Sequence, residues 1–181
     1  MDIKVFADGT LAWGGRTMRC AVGRGGVATA KREGDGATPA GRFALRQVLY
    51  RPDRLAPPAV HLPARPLEAA DGWCDDTADP AYNCAIRRPF AARHETLWRE
   101  DGLYDLLAVI GHNDAPPVAG RGSAIFLHVA APGYAPTEGC VALALPDLKD
   151  ILAAWRPDWR LVVIPPGGQA AGGRRKGRCR P

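Results

Sequence analysis

Apolar and polar residues alternate along Ile3-Lys4-Val5-Phe6 and again along Thr10-Leu11-Ala12-Trp13. A period of two marks a half-buried β-strand. Asp8-Gly9 between the two runs tolerates the positive φ angles of a tight turn, so the segment predicts a β-hairpin. Met18 to Gly23 reads as a further short strand, and Gly41 to Tyr50 alternates again. Leu103 to Gly111, Ser123 to Ala130 and Cys140 to Ala144 are apolar runs of core-strand length. The period then changes: Leu145, Leu148, Leu152 and Trp155 recur at spacings of 3, 4 and 3, with Asp147, Lys149 and Asp150 between them. That pattern predicts one amphipathic helix, with Pro146 suited to its first turn. Trp159 to Ile164 closes the pattern as a strand, and no internal repeat is apparent. The chain therefore reads as mainly β with one helix near its C-terminal side.

Two stretches break the pattern. Arg32 to Gly41 (REGDGATPAG) is rich in turn residues. Residues 52 to 102 carry prolines at 52, 57, 58, 63, 66, 80 and 89, which predict irregular structure. Trp73, Tyr82, Phe90 and Trp98 lie in the same stretch. A loop this long is either pinned to the body by its aromatics or forms a wall over a cleft, and the sequence supports both readings equally.

A length of 181 residues fits one domain with a tail, and Gly 21 with Pro 17 accounts for the many turns. The net charge of +5 is carried by the end of the chain, where Arg174, Arg175, Lys176, Arg178 and Arg180 stand without an acid. Removing these five from the 24 basic residues leaves a body balanced against its 19 acidic ones. A nucleic-acid binder carries a basic face on its fold, so that class is set aside. Residues 1–165 are read as the domain and 166–181 as a basic, Gly-rich, disordered tail. No apolar run approaches the length of a bilayer span, and the N-terminus shows no signal peptide. Cys20, Cys74, Cys84, Cys140 and Cys179 match no zinc spacing, and no metal is expected. Zinc on His112, His128 and Cys140 likewise has no support from spacing. Cys74 and Cys84 are near enough in sequence to bridge or to remain free.

Ile125-Phe126-Leu127-His128-Val129-Ala130 places a histidine inside an apolar strand, and Glu138-Gly139-Cys140-Val141 follows ten residues later. A nucleophilic thiol needs a base near neutral pH, and a preceding glycine bares N–H groups for an oxyanion. From spacing alone the pair is weak evidence for catalysis, since a lone strand histidine is usually a satisfied core residue and a lone cysteine a small hydrophobe. His61 and His94, in Pro-rich stretches without evident partners, read as surface residues.

The run from His128 through Tyr134-Ala135-Pro136-Thr137-Glu138-Gly139-Cys140-Val141 resembles the signature of the YkuD-like L,D-transpeptidase catalytic domain. Upstream, Gly36-Ala37-Thr38-Pro39-Ala40-Gly41-Arg42-Phe43 resembles the stretch that opens a strand beside that family's cleft. Lys31–Tyr50, Gly72–Asn83 and Gly111–Leu145 are similar to a bacterial subgroup. The resemblance implies a β-sandwich with one helix and long irregular loops. It makes Cys140 the nucleophile and His128 the general base. The Val129 carbonyl would orient the imidazole, and the N–H groups of Gly139 and Cys140 would hold the oxyanion. Arg121, His112, Tyr134 and Thr137 are the candidate substrate contacts; the first two read more readily as surface groups, and Tyr134 equally as a loop pin. Many relatives carry a second histidine and a polar residue where Glu138 and Ala142 stand here, and Glu138 beside the thiol disfavours a thiolate unless it points away.

The implied reaction is acyl transfer on peptidoglycan stem peptides through a Cys140 thioester, with D-alanine released and an amine acceptor. No cofactor is expected, carbapenem-type inhibitors are expected to acylate the thiol, and the chain is expected to be a monomer without a transmembrane segment. The family implies the periplasm or cell wall; the missing signal leaves the cytoplasm open. A thiol amidase or L,D-carboxypeptidase acting on the same bond, and a non-catalytic wall-binding domain, are the alternatives.

Overall fold

A computed structural model describes residues 1–168; most of the basic tail, with Cys179, lies outside the described residues. In chain order the strands are β1 (Asp2–Phe6), β2 (Thr10–Trp13), β3 (Arg16–Ala21), β4 (Val27–Ala28), β5 (Thr38–Pro39), β6 (Gly41–Phe43), β7 (Leu45–Tyr50) and β8 (Ala64–Pro66). They continue with β9 (Asp71–Cys74), β10 (Ala85–Arg87), β11 (His94–Thr96), β12 (Leu106–Ile110), β13 (Phe126–Val129) and β14 (Val141–Leu143), followed by helix α1 (Leu145–Ala154) and β15 (Arg160–Ile164).

Ten strands form one sheet in the order β6-β15-β1-β2-β3-β14-β13-β12-β7-β8. The hairpin of β1 and β2 turns where expected: Gly9 takes φ +82° and Asp8 Oδ1 accepts the Thr10 N–H at 3.0 Å. One face of the sheet lines the main apolar cluster, to which strands from β6 to β7 in that order contribute. Ile3 and Val5 of β1 meet Leu127 of β13, Val141 and Leu143 of β14, and Leu161 and Val163 of β15 there. Helix α1 adds Leu148, Ile151 and Leu152, and Trp155 caps its C-terminal end, all fully buried. Each such side chain contributes about 1.5–3 kcal/mol by leaving water.

Two expectations need correction. The run from Gly41 to Tyr50 is not one strand. It breaks at Ala44, whose carbonyl accepts the Gly111 N–H, into β6 and β7, which sit near opposite ends of the sheet order. Residues 52 to 102 are not irregular throughout. They hold β8 and a second, three-stranded antiparallel sheet, β10-β9-β11. Leu49, Leu107, Val109 and Phe126, on the outer face of β7, β12 and β13, pack there with Leu67, Trp73, Leu97 and Tyr104 as a second apolar cluster. The cover is thus pinned by its aromatics and also walls a cleft. Cys20, Cys74, Cys84 and Cys140 are free thiols, although the Cys74 N–H donates to the Cys84 carbonyl at 2.9 Å.

Candidate active site

β13 and β14 run parallel, with His128 opposite Ala142. Side chains alternate along a strand, so Phe126 and His128 share one face with Ala142 and Cys140 of the neighbouring chain segment. Leu127, Val141 and Leu143 point the other way, into the interior. The register therefore sets Cys140 and His128 on adjacent strands, on one face, two residues or about 6.6 Å apart along the strand direction. Both line a cleft of about 490 Å³ between this face and the cover.

The turn before β14 is held from below. Gly139 has φ +136°, and a Cβ there would lie 2.9 Å from the Ala37 carbonyl oxygen. The Thr137 hydroxyl donates to the Cys140 carbonyl at 2.7 Å and accepts the Gly139 N–H at 3.2 Å. The buried Thr38 hydroxyl accepts the Gly23 N–H at 2.8 Å and donates to the same Cys140 carbonyl at 3.3 Å. The Thr-Pro stretch that stands far upstream in sequence is thus the floor of the cysteine turn.

Cys140 is 7% exposed. Its S–H donates to the Ala124 carbonyl and its sulfur accepts the Phe126 N–H, both at 3.3 Å. Burial, and next the nearby Glu95 charge, push the thiol up to about 12. His128 Nδ1 lies 2.8 Å from the Val129 carbonyl oxygen, so Nδ1 carries the proton and Nε2 is the basic nitrogen. Burial pulls His128 down to about 4. At neutral pH the two groups are a neutral thiol and a neutral imidazole.

A family model of the YkuD L,D-transpeptidase catalytic domain matches residues 3–164. The chain belongs to the YkuD family. Comparison with curated proteins and with solved structures gives no match. The YkuD assignment agrees with the mainly β architecture and the lone helix, and no helix among the described residues is long and apolar enough to cross a membrane.

In this YkuD domain the proposed contacts divide. Thr137 lines the cleft, but its hydroxyl is committed to the turn. Arg121, His112 and Tyr134 do not line it. The Arg121 carbonyl is 2.8 Å from His112 Nε2, and the His112 ring packs edge-on against Phe43. Burial there lowers the His112 pKa. Tyr134 stacks under the Arg19 guanidinium, 4.6 Å from its carbon, which makes it the loop pin. The Gly139 N–H is taken by Thr137, whereas the Cys140 N–H has no acceptor among the described residues. Glu138 points away from the thiol: its carboxylate receives Arg24 Nε at 2.7 and 2.9 Å on the exposed rim.

Sequence reasoning missed the groups that the cover supplies. Glu95 of β11 accepts a hydrogen bond from the Tyr104 hydroxyl, and the Tyr104 ring packs edge-on against His128 with centroids 5.2 Å apart. Burial raises the Glu95 carboxyl above the ordinary range, and the Tyr104 phenol lies well above its own. Lys31, Arg93 and Arg99 are the cleft cations, in place of Arg121. Lys31 Nζ is bound to Asp35 at 2.5 Å, Arg93 to Asp75 at 3.0 Å and Arg99 to Asp101 at 2.5 Å. His94 also differs from expectation, since its Nδ1 lies 2.8 Å from the Ala92 carbonyl oxygen within the cover.

Proposed function

We propose that the chain is a cysteine-dependent L,D-transpeptidase acting on peptidoglycan stem peptides. The observation that carries this reading is the placement of the Cys140 thiol and the tautomerically fixed His128 imidazole on one face, at one cleft. A stem tetrapeptide enters with the carbonyl of its third residue at Cys140. The sulfur attacks that carbonyl carbon while its proton passes to His128 Nε2, and the Cys140 N–H receives the developing oxyanion. Collapse expels D-alanine, whose amine takes the proton back from His128, and a thioester remains. An amine of a second stem then attacks, gives its proton to His128 and restores the thiol as the new amide forms. Positioned proton transfer supplies roughly 10²–10⁴-fold and one oxyanion donor roughly 10²–10³-fold. No step calls for a cofactor. The substrate places the reaction in the periplasm or cell wall.

The protonated resting thiol favours a second reading, a wall-binding domain without turnover. One experiment separates the two. Purified disaccharide-tetrapeptide is incubated with the protein and read by mass spectrometry. Transpeptidation gives a cross-linked dimer with loss of D-alanine, hydrolysis gives only tripeptide, and Cys140→Ala gives neither. A carbapenem adduct on Cys140 is expected in the wild type. Unchanged substrate together with no adduct refutes the enzyme reading.

A further inference from the structure

Asn83 lies in the turn between β9 and β10, buried, at φ +57°. Its side chain uses all four hydrogen-bonding positions of an amide. Oδ1 accepts the Trp73 indole N–H at 2.9 Å and the Ala124 backbone N–H at 3.1 Å. Nδ2 donates to the carbonyls of His112 at 3.0 Å and Asn113 at 2.8 Å. The reversed amide would set its NH₂ against two N–H donors, so this orientation is the only satisfied one.

Ala124 has φ +51°, a left-handed conformation that an alanine leaves unless its surroundings hold it. Its carbonyl is the acceptor of the Cys140 S–H, and two residues on the Phe126 N–H donates to the same sulfur. The segment 124–126 therefore grips the thiol from two sides, and Asn83 grips that segment by the Ala124 N–H.

We propose that Asn83 is a positioning residue for Cys140, tying the cover sheet to the backbone that orients the thiol. The proposal rests on the reading of Cys140 as the nucleophile. It assigns Asn83 no contact with substrate. When its amide is lost, Ala124 relaxes toward negative φ and its carbonyl swings off the sulfur. The thiol then loses the acceptor that favours its protonated form and the orientation that favours attack.

The test uses the full chain with Asn83→Gly, since glycine accepts φ +57° and only the side-chain bonds are lost. Trp73→Phe is the control. It deletes one Asn83 bond and loosens the cover but leaves the bond to Ala124. In Asn83→Gly, kcat for acyl transfer falls at least about tenfold with KM within about twofold of wild type, because sub-ångström alignment enters kcat rather than binding. Iodoacetamide alkylation of Cys140 at pH 8, resolved by peptide mass spectrometry, becomes several-fold faster. In Trp73→Phe both stay within about twofold of wild type. A folded Asn83→Gly protein with wild-type kcat and alkylation overturns the proposal. So does an equal response of both variants, which would make Asn83 a fastener of the cover alone. Should Asn83→Gly not fold, Asn83→Ser, which retains more volume but cannot span to Ala124, is read by the same criteria. If the wild type shows no turnover while the alkylation contrast holds, the transpeptidase reading fails and the link from Asn83 to Cys140 stands.

Discussion

The neutral Cys140–His128 pair has a kinetic signature. Burial holds the thiol near 12, and the next contribution is the charge of Glu95 in the same cleft. At pH 8 such a thiol is ionised to about 10⁻⁴, against about a quarter for a free cysteine with a pKa of about 8.5. Iodoacetamide is therefore expected to alkylate Cys140 roughly 10³-fold more slowly than free cysteine at pH 8. The rate is expected to climb about tenfold per pH unit from 7 to 10 without a plateau. Glu95→Gln keeps an acceptor for the Tyr104 hydroxyl and removes the charge, so Cys140 alkylation is expected to accelerate across the same range. Timed quenching and peptide mass spectrometry separate Cys140 from Cys20, Cys74, Cys84 and Cys179. A rate already constant by pH 7 would show a preformed thiolate–imidazolium pair and refute the burial argument. A slower Glu95→Gln variant would show that this carboxylate does not face the thiol.

The same burial predicts an acid limb in stability. His128 sits near 4 when folded against 6.5 as its ordinary value, so the unfolded chain takes a proton that the native state refuses. Stability present above pH 6.5 is lost as pH falls toward 4, by about 3 kcal/mol from this group, and the lowered His112 adds to the loss. Urea unfolding across pH 4.5–7 is expected to show a shallower decline in His128→Gln than in wild type; parallel curves would count against the buried imidazole. Gly139→Ala places a Cβ 2.9 Å from the Ala37 carbonyl at φ +136°, and is expected to cost about 2 kcal/mol or more and several degrees of Tm. A variant melting with the wild type would mean that the turn has room the geometry denies it.

The main sheet was legible because its strands are ordinary. β1, β2 and β3 alternate, β12 to β14 are short apolar runs, and α1 changes the period. The cover was not legible, for a physical reason. β9 is Asp71-Gly72-Trp73-Cys74 with all four residues buried, so no alternation exists to be read, and its partners are three residues long. The prolines that argued against regular structure fall mostly outside these strands. The division of Gly41–Tyr50 was hidden similarly, because both halves are true strands and only the corner at Ala44 separates them. At the candidate site, the grouping of Cys140, His128 and Val129 was legible from one motif, because they are neighbours in sequence as in space. Glu95, Tyr104 and Asn83 were not, since they reach the cleft or its backbone through the cover, and no local pattern announces that a carboxylate, a phenol or an amide will be carried there. Arg121 was chosen to supply a missing cation. It does not line the cleft, and its carbonyl meets His112 instead.

Two motifs that stand 102 residues apart meet at one atom, the Cys140 carbonyl oxygen, where the Thr38 and Thr137 hydroxyls both donate. That convergence explains why a glycine must precede the cysteine. With the carbonyl fixed from below and Ala37 abutting the turn, no side chain fits at residue 139, and the backbone is pressed onto the β5 segment. The sulfur is then fixed from the opposite side by Ala124 and Phe126. A thiol held by its own carbonyl below and by hydrogen bonds at sulfur above has little freedom to choose its direction of attack. It is also dry enough to stay protonated. On this construction reactivity is not stored in a standing thiolate. On the proposed mechanism it arises when a bound carbonyl gives the sulfur's electrons a destination and His128 Nε2 gives its proton one.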